Sequence, residues 1–481
     1  MSTSIVKCRT QAQITPLGVD CETPMFSWQM AASRTGAKQS AYRIIVSKDK
    51  TMTPIIWDSN IVKSYIQHTA LTADCTKLEP STRYYWKVFV WDEENMMHES
   101  EVTWFETGLM GKDASVWNNA QWIGSPKQTT NTACLYSYQM NVDFKTDIGN
   151  KAGIVLSARN KDNYVLFDVD MDNRTLMIYE YCDNAWDGST KEGHIPTVTI
   201  LGSKVGYIIS KDAVSEGLEH DWNTISITVD NRDLSVSINN VTVIQKEADL
   251  MPNAGFFVPR RGCLFSIGFK QLGSTAYYDN LVISDPKTNT VFQNESFSDE
   301  SGIFSVLGSC KDGILTVKNQ FELACPVPAI NLLGTFHANP SKKIASARLY
   351  ATARGSYRVK VNGIDADGSF FAPGFTDYRL RIFYQTYDVT NLLHEGENQL
   401  LATVGKGYYN GYCGYSGPMK YGEQNSFMGR MIVTYTDGSK DELVTDNSWL
   451  FTDKGAVVDS DYLDDENYDA RLLPKDLSHI D

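Results

Sequence analysis

Apolar and polar residues alternate along most of the chain with a period of two, the spacing of side chains on one face of a β-strand. The alternation is clear at Tyr164–Asp170, Thr224–Val229 and Leu234–Ile238, and long stretches with a helical period are missing. Asn239-Asn240 and Asn362-Gly363 predict two-residue hairpin turns, because asparagine and glycine tolerate positive φ angles. The pattern predicts an all-β protein built from β-sandwiches.

Length and turn spacing divide the chain into three predicted domains, since 481 residues exceed the size of one core. We expect a fibronectin-type-III-like domain at 1–110 and a concanavalin-like (laminin-G-like) jelly roll at 119–321. A galactose-binding-like sandwich is expected at 322–475, followed by a short segment at 476–481. Trp122–Gly124 is expected to supply the first strand of the third domain, which would make the jelly roll an insertion.

The first domain carries the segment Leu78–Tyr84, which leads into an alternating strand. A Leu-x-Pro-x-Thr-x-Tyr lead of this kind predicts a tyrosine corner, in which the Tyr84 hydroxyl bonds back to the backbone. Trp28 and Tyr42 are then expected in the core, because large aromatic side chains dominate sandwich cores. An exposed aromatic binding face is the alternative interpretation of these rings.

Charge and cysteine usage exclude several classes of protein. The net charge of −14 argues against binding to nucleic acid or to an anionic membrane, and neutral sugars remain compatible. The N-terminus lacks the pattern of a signal peptide, and no stretch has the roughly 20 apolar residues that span a bilayer. Nine scattered cysteines without a CxxC pair predict reduced thiols and a cytoplasmic location.

The sequence offers few groups for catalysis. Nucleotide-binding, zinc-protease and serine-hydrolase motifs do not occur, and the seven histidines do not cluster. The acidic run 459–466 could supply the carboxylate pair that sugar hydrolysis needs. Consecutive strand residues point to opposite faces, however, and a charge run is typical of a solvated loop. No catalytic residue is therefore predicted.

An alternating acidic stretch is a candidate metal site. Asp168, Asp170 and Asp172 precede Asn173 and could offer oxygen ligands to calcium from one face of a strand. The favoured alternative is the polar face of an exposed strand that ends in a turn. No cofactor is predicted, and calcium is possible but not favoured.

Two aromatic segments are candidate sugar contacts, because flat rings stack on pyranose faces. The first contains Tyr179, Tyr181 and Trp186, and its tryptophan falls in a loop-like stretch. The second is the glycine-rich segment 405–415, which contains Tyr408, Tyr409 and Tyr412. Its glycines are expected to turn the backbone tightly and expose the rings. Packing of these tyrosines on a neighbouring domain explains the cluster equally well.

Several segments of the third domain resemble one family closely. The run Phe371–Tyr378, the triplets Asp388–Thr390 and Gly396–Asn398, the Gly407-Tyr408-Tyr409 segment and the closing Glu466–Arg471 resemble the N-terminal sandwich of bacterial alpha-L-rhamnosidases, glycoside hydrolase family 78. In the first domain, Phe26-Ser27-Trp28, Thr82–Trp86 and Phe105–Leu109 look like the leading fibronectin-like module of that family.

The resemblance implies a substrate class and a partner. Family members hydrolyse terminal alpha-L-rhamnose from glycosides with inversion, on a helical barrel that should follow Glu466–Arg471; ten residues follow Arg471 here. The chain is thus expected to be an accessory part that docks on the helical catalytic domain and contacts a rhamnose-containing glycoside or oligosaccharide. A stand-alone carbohydrate-binding protein without catalysis is the alternative.

Overall fold

The structure is a computed structural model, and nearly all of its described elements are β-strands. It describes residues 3–72, 77–111, 113–124, 137–147, 151–160, 163–182, 197–200, 207–214, 221–230, 233–247, 266–271, 273–297, 310–318, 321–324, 329–413, 420–422, 424–463, 465–468 and 470. The all-β prediction is confirmed. No helix in these ranges is long and apolar enough to cross a membrane.

The first sandwich packs two antiparallel sheets face to face. One sheet has the order β1-β2-β5, and the other has the order β4-β3-β6-β7 with β8 also paired to β6. The strands are β1 (Thr3–Thr10), β2 (Met25–Ala32), β3 (Gln39–Ser47), β4 (Ile55–Asp58), β5 (His68–Ala70), β6 (Arg83–Asp92), β7 (Met97–Glu99) and β8 (Thr103–Glu106).

The core of the first sandwich confirms the sequence predictions for its aromatic residues. Trp28 and Tyr42 are buried, and their ring centroids are 5.1 Å apart. The indole N–H of Trp28 donates to the side chain of Gln39, which satisfies a buried polar group. The Tyr84 hydroxyl accepts a 2.8 Å hydrogen bond from the backbone N–H of Glu79. The predicted tyrosine corner is therefore present.

The second sandwich has the largest core of the described residues, with Phe144, Phe167, Phe269 and Tyr278 at its centre. One sheet has the order β18-β17-β16-β10-β20-β23-β22 with β21 on β20, and the facing sheet has the order β14-β13-β12-β11-β19-β24 with β15 on β13. The strands are β10 (Ser137–Thr146), β11 (Lys151–Asn160), β12 (Asn163–Asp170), β13 (Thr175–Cys182), β14 (Thr197–Ile200), β15 (Tyr207–Ile208), β16 (Asn223–Asp230), β17 (Asp233–Ile238), β18 (Val241–Glu247), β19 (Ser266–Lys270), β20 (Thr275–Ser284), β21 (Val291–Glu295), β22 (Cys310–Lys311), β23 (Ile314–Lys318) and β24 (Phe321–Ala324).

The third sandwich pairs a sheet of order β28-β27-β30-β25-β33 with a sheet of order β29-β26-β31-β32, and a separate hairpin β34-β35 follows. A one-turn helix α1 (Gly407–Asn410) and short 3-10 turns, including Ala114–Trp117, Lys211–Ala213 and Thr390–Leu392, join the strands. The strands are β25 (Ile330–Ala338), β26 (Ile344–Arg354), β27 (Ser356–Val361), β28 (Ile364–Asp365), β29 (Gln385–Asp388), β30 (Gly396–Gly405), β31 (Ser426–Tyr435), β32 (Lys440–Val444), β33 (Leu450–Thr452), β34 (Val457–Asp461) and β35 (Asp465–Tyr468).

A short strand links the segment before the second sandwich to the third. This strand, β9 (Ile123–Gly124), pairs antiparallel with Ser426 and Phe427 of β31. The close approach requires the glycine, because a Cβ at Gly124 would come within 2.1 Å of the Asn425 carbonyl oxygen. The chain therefore contributes to the third sandwich both before and after the strands of the second.

The first and third sandwiches contact each other through polar groups around a small apolar cluster. The Tyr350 hydroxyl donates to Ser81 Oγ at 2.8 Å, and the Tyr384 hydroxyl contacts Asp20 while accepting from the Leu109 N–H. The apolar cluster includes Leu109, Trp117, Tyr350, Met428 and Ile432. These contacts hold the outer face of β26 and β31 against the first sandwich.

Candidate functional site

A row of aromatic rings covers one surface of the third sandwich. This aromatic surface consists of Phe370, Phe371, Phe375, Tyr408 and Tyr462. Its ring centroids lie 6.4 Å apart for Phe370 and Phe371, 5.2 Å for Phe371 and Tyr462, 4.5 Å for Tyr462 and Tyr408, and 4.8 Å for Tyr408 and Phe375. The three phenylalanines are 64%, 66% and 54% exposed. Exposed apolar rings in contact with one another mark an interaction surface.

The glycine-rich segment places Tyr408 on this surface through tight backbone contacts. Gly407 has a φ of 52°, and a Cβ there would come within 2.7 Å of the Ser356 backbone nitrogen. The Asp461 carboxylate accepts from the Tyr412 N–H at 2.7 Å and from the Leu463 N–H at 2.9 Å. The carboxylate therefore connects the helix α1 segment to the hairpin that carries Tyr462.

A second group of rings lies beside the aromatic surface. The Tyr378 ring is 5.5 Å from Tyr409 and 5.1 Å from Tyr421, and burial raises the pKa of the Tyr378 hydroxyl. At the surface, Arg379 contacts Asp377 at 2.6 Å, and its hydrogen bonds lower the pKa of that carboxyl to about 2. Tyr378 is therefore a neutral packing residue, and Asp377 is a charged surface group.

The tyrosines predicted as sugar contacts in this segment have different environments. Tyr408 lies on the aromatic surface and Tyr409 packs on Tyr378, each with its side chain partly exposed. Tyr412 is only 4% exposed, so the expected exposure of its ring is wrong. Directly after α1, the Asp461 carboxylate accepts a hydrogen bond from the Tyr412 N–H.

The sequence prediction did not name Phe370, Phe371, Phe375 or Tyr462 as contact residues. Phe370 and Phe371 stand in an apolar stretch interrupted by Pro373 and Gly374, without a strand period. The sequence signal that could have identified these residues is an apolar run between turn residues. A loop of this kind belongs to no sheet face, so its rings are not buried between sheets.

The predicted calcium ligands lie at the end of β12. Asp168 and Asp170 both contact the Lys151 ammonium, at 3.7 and 3.3 Å. Asp170 also accepts from the N–H and the side-chain amide of Asn173, whereas Asp172 is exposed. The one ammonium between these two carboxylates compensates one of their two negative charges. In the part of the chain described, no group of three His, Cys, Asp or Glu side chains could hold a metal.

The other predicted sugar-contact segment belongs to the second sandwich. Tyr179 lies on β13 opposite Leu166, partly buried against Val155 and Tyr164 on the outer face of its sheet. The backbone of Tyr181 pairs with Tyr164 in the same register. Trp186 lies outside the described residues. The structure thus places Tyr179 and Tyr181 on one strand and leaves their relation to Trp186 undescribed.

Comparisons with known proteins match both ends of this architecture. Residues 5–111 match the family described as Rha78A-like, N-terminal immunoglobulin domain. Residues 342–481 match the family described as alpha-L-rhamnosidase N-terminal domain. The matched ranges cover most of the first sandwich and the greater part of the third.

The similar curated proteins are alpha-L-rhamnosidases. An alpha-L-rhamnosidase of Streptomyces avermitilis is 32% identical over 464 residues, which are 95% of this chain and 41% of the relative. An alpha-L-rhamnosidase of Formosa agariphila is 37% identical over 133 residues, 27% of this chain and 14% of the relative. The chain therefore spans well under half the length of these relatives.

Solved structures agree with the fold. The crystal structure of Streptomyces avermitilis alpha-L-rhamnosidase complexed with L-rhamnose has a TM-score of 0.58 at 25% identity, over 98% of this chain and 43% of that one. The alpha-L-rhamnosidase from Dictyoglumus thermophilum has a TM-score of 0.51 at 20% identity, over 98% of this chain and 32% of that one, and supports the fold alone.

The β-sandwich fold and the two matched ranges identify the chain as a set of β-sandwich accessory domains. The chain belongs to the alpha-L-rhamnosidase family and corresponds to an N-terminal accessory portion of such a protein.

Proposed function

We propose that this chain is the accessory part of an enzyme that hydrolyses terminal alpha-L-rhamnose from glycosides. The observation that carries the proposal is the similarity to an alpha-L-rhamnosidase along 95% of the chain. Residues 1–481 alone supply the accessory function, and the chemistry belongs to a helical catalytic domain of the same enzyme.

The absence of catalysis by residues 1–481 is tested with purified chain and nitrophenyl alpha-L-rhamnoside. We expect no release of nitrophenol above a boiled control, and release above that control would contradict the accessory role. The catalytic activity of the whole enzyme is tested separately on the same substrate, with the gene that encodes this chain expressed together with any sequence that continues it.

The aromatic surface is the proposed contact for the catalytic domain. Five rings lie side by side there, and three of them are more than half exposed. Burial of an apolar surface of this kind against a partner domain is favourable by about 25 cal/mol per Å². Tyr462 of this surface lies in the turn of the hairpin β34-β35, whose strands are the last paired strands of the described chain.

The docking is tested by mixing residues 1–481 with the separately produced C-terminal portion of the Streptomyces avermitilis relative and measuring the mass by light scattering. We expect a complex that is lost in Phe371→Ser/Phe375→Ser. The matched control is Ile61→Ser/Tyr65→Ser, which removes side chains 59% and 81% exposed on the first sandwich. Equal complex formation by both double variants would overturn the docking role.

We propose a division into a fibronectin-like domain at 1–110, an inserted jelly roll at 119–321 and a galactose-binding-like sandwich at 322–475. Separate cores centred on Trp86, Phe269 and Leu349 support this division, and so does the pairing of β9 with β31.

A cytoplasmic location is also proposed, and it rests on the scattered cysteines of the sequence.

Binding of a rhamnose-containing glycoside is proposed for the second sandwich, through Trp186 with Tyr179 and Tyr181. Two observations support this proposal. The Tyr179 side chain is partly exposed, and Trp186 follows the end of β13 at Cys182 by four residues in the sequence. Calorimetric titration with L-rhamnose should show binding that Trp186→Ala weakens and Tyr65→Ala leaves intact. Unchanged binding by Trp186→Ala would remove that residue from the proposed site.

A further inference from the structure

A polar cleft of about 510 Å³ opens where the first and third sandwiches meet. The first sandwich lines it with Ser81, Thr82, Arg83 and Glu106, and the third lines it with residues of β26, β29, β31, β32 and the turn after β29. Small-molecule sites have volumes of roughly 300–1,000 Å³ and often lie between domains. The cleft is distinct from the aromatic surface, with which it shares no residue.

The wall formed by the third sandwich changes from apolar to polar along one sheet face. Residues two apart on a strand share a face, so Tyr350, Arg348 and Ser346 of β26 lie in one row. Tyr350 belongs to the apolar cluster with Trp117 and Leu109, which covers this end of the row. Arg348 follows, almost fully buried, and Ser346 at the other end is partly exposed.

Neighbouring strands extend the polar end of this row. Ser346 is the register partner of Thr434 on β31, and Thr434 is the partner of Lys440 on β32. Two hydroxyls and an ammonium thus lie side by side at the mouth of the cleft. Among the described residues, no side-chain hydrogen bond involves Ser346, Thr434 or Lys440, and the charge of Lys440 helps to lower the pKa of the nearby Glu442 carboxyl. The two hydroxyls and the ammonium can therefore still bind a ligand.

The floor of the cleft is an ion network that joins the two sandwiches. Arg348 Nε lies 2.5 Å from Glu106 Oε1 and Arg348 Nη1 lies 2.8 Å from Asp388 Oδ1. Arg83 Nη2 approaches Glu106 Oε2 at 3.0 Å. With Lys440 at the mouth, three cationic groups face two carboxylates. The carboxylates would repel a bound anion, and the basic groups would repel a bound cation. Hydroxyl groups of a neutral ligand can donate to the carboxylates and accept from the basic groups.

We propose that this cleft binds a neutral polyhydroxylated ligand, a single pyranose unit, whose hydroxyl groups contact Ser346, Thr434 and Lys440. The site goes beyond the proposed function, because its described lining contains no residue of the aromatic surface and neither Tyr179 nor Tyr181. Its lining offers no exposed aromatic ring among the residues described, so the affinity is expected to be roughly millimolar.

The test uses residues 1–481 carrying Trp186→Ala, so that sugar bound at the second sandwich does not contribute to the binding signal. A negative result in this variant would contradict the cleft site and would not bear on the proposed function. L-Rhamnose, D-glucose and, separately, sulfate are titrated and followed by saturation-transfer NMR of the ligand. The cleft variants are Ser346→Ala/Thr434→Val and Lys440→Gln. Their matched controls are Thr242→Val and Lys360→Gln, which change exposed residues on other strands.

We expect at least one of the two sugars to bind, and each cleft variant to weaken it about tenfold through lost hydrogen bonds. The control variants should bind like the parent chain. The proposal is overturned if neither sugar binds, if the cleft variants bind as tightly as their controls, or if sulfate binds in place of both sugars. A midpoint of thermal unfolding equal to that of the parent chain verifies that the Lys440→Gln variant is folded.

Discussion

Arg348 of β26 donates hydrogen bonds to both carboxylate oxygens of Glu106 at the end of β8, from Nε at 2.5 Å and from Nη2 at 3.1 Å. The two side chains are 9% and 7% exposed, and they belong to different sandwiches. Burial alone would lower the pKa of the arginine, but the hydrogen bonds and charge of Glu106 raise it. The pair is therefore a buried, charged connection between the first and third sandwiches.

Removal of one partner of this pair should strongly destabilise the molecule. Arg348→Met leaves the Glu106 carboxylate buried, with Arg83 as its remaining cationic partner. Loss of one member of a buried ion pair costs about 3–5 kcal/mol, and Arg83 should reduce this toward about 3 kcal/mol. Urea unfolding followed by tryptophan fluorescence measures the free energy of unfolding.

An exposed ion pair of the same sandwich is the control for this change. Arg358 lies 2.9 Å from Asp365, with side chains 48% and 38% exposed. Arg358→Met should cost less than about 1 kcal/mol, because solvent screens such pairs. Equal losses in Arg348→Met and Arg358→Met would contradict the importance assigned to the buried connection.

Stability at alkaline pH should depend on Tyr350. Burial raises the pKa of Tyr350 to about 12 from its usual 10. The folded state therefore retains the proton more strongly than the unfolded state, and the resulting stabilisation is complete below pH 10 and is lost as the pH rises through about 12. Between pH 9 and pH 11 this group should account for a loss of about 1 kcal/mol.

The variant Tyr350→Phe isolates that contribution. Its free energy of unfolding should fall less steeply than that of the parent chain between pH 9 and pH 11, and the difference should be about 1 kcal/mol. Tyr65→Phe, which changes a tyrosine 81% exposed, should follow the parent curve. Parallel curves for Tyr350→Phe and the parent would show that Tyr350 does not titrate in this way.

The tyrosine corner should be worth a measurable part of the stability of the first sandwich. Tyr84→Phe removes the hydroxyl that accepts from the Glu79 N–H and keeps the buried ring. We expect a loss of about 1–2 kcal/mol, since one hydrogen bond is lost and its donor is left without that acceptor. Denaturant unfolding of residues 1–481 measures it, and Tyr85→Phe on the opposite strand face is the control.

The aromatic surface should contribute to association and little to folding. Phe371→Ser/Phe375→Ser should change the free energy of unfolding by less than about 1 kcal/mol, because both rings are more than half exposed. Phe427→Ala, at a ring 1% exposed, should cost about 3–5 kcal/mol. The double variant should also bind less of a hydrophobic dye, and dye fluorescence equal to that of the parent would argue against an apolar surface there.

Strands and hairpin turns could be predicted because their information is local. Asn239 and Asn240 have φ angles of 48° and 66°, and they join Ile238 to Val241 in the predicted two-residue turn. Asn362, with a φ of 50°, begins the equivalent turn between Val361 and Ile364. Alternation and turn chemistry both act within a few residues, so the sequence contains them directly.

Contacts between distant segments could not be predicted in the same way. Arg348 and Glu106 have neither a shared period nor a shared motif, and their approach depends on how two finished sandwiches pack. Tyr412 resembles its neighbours Tyr408 and Tyr409 in sequence, yet its ring is 4% exposed and its backbone N–H binds Asp461, 49 residues further along the chain. The candidate site is thus a tertiary property, and its aromatic members were predicted only in part.

The pairing of β9 with β31 has a consequence for synthesis on the ribosome. Gly124 meets Ser426, roughly 300 residues further along the chain, so β9 emerges long before its partner strand exists. Domains generally fold as units while the chain grows, and the described strands of the second sandwich are all synthesised before β31. Until then the edge of β9 lacks the strand with which it pairs, and this pair of the third sandwich can form only after every described strand of the second has been synthesised.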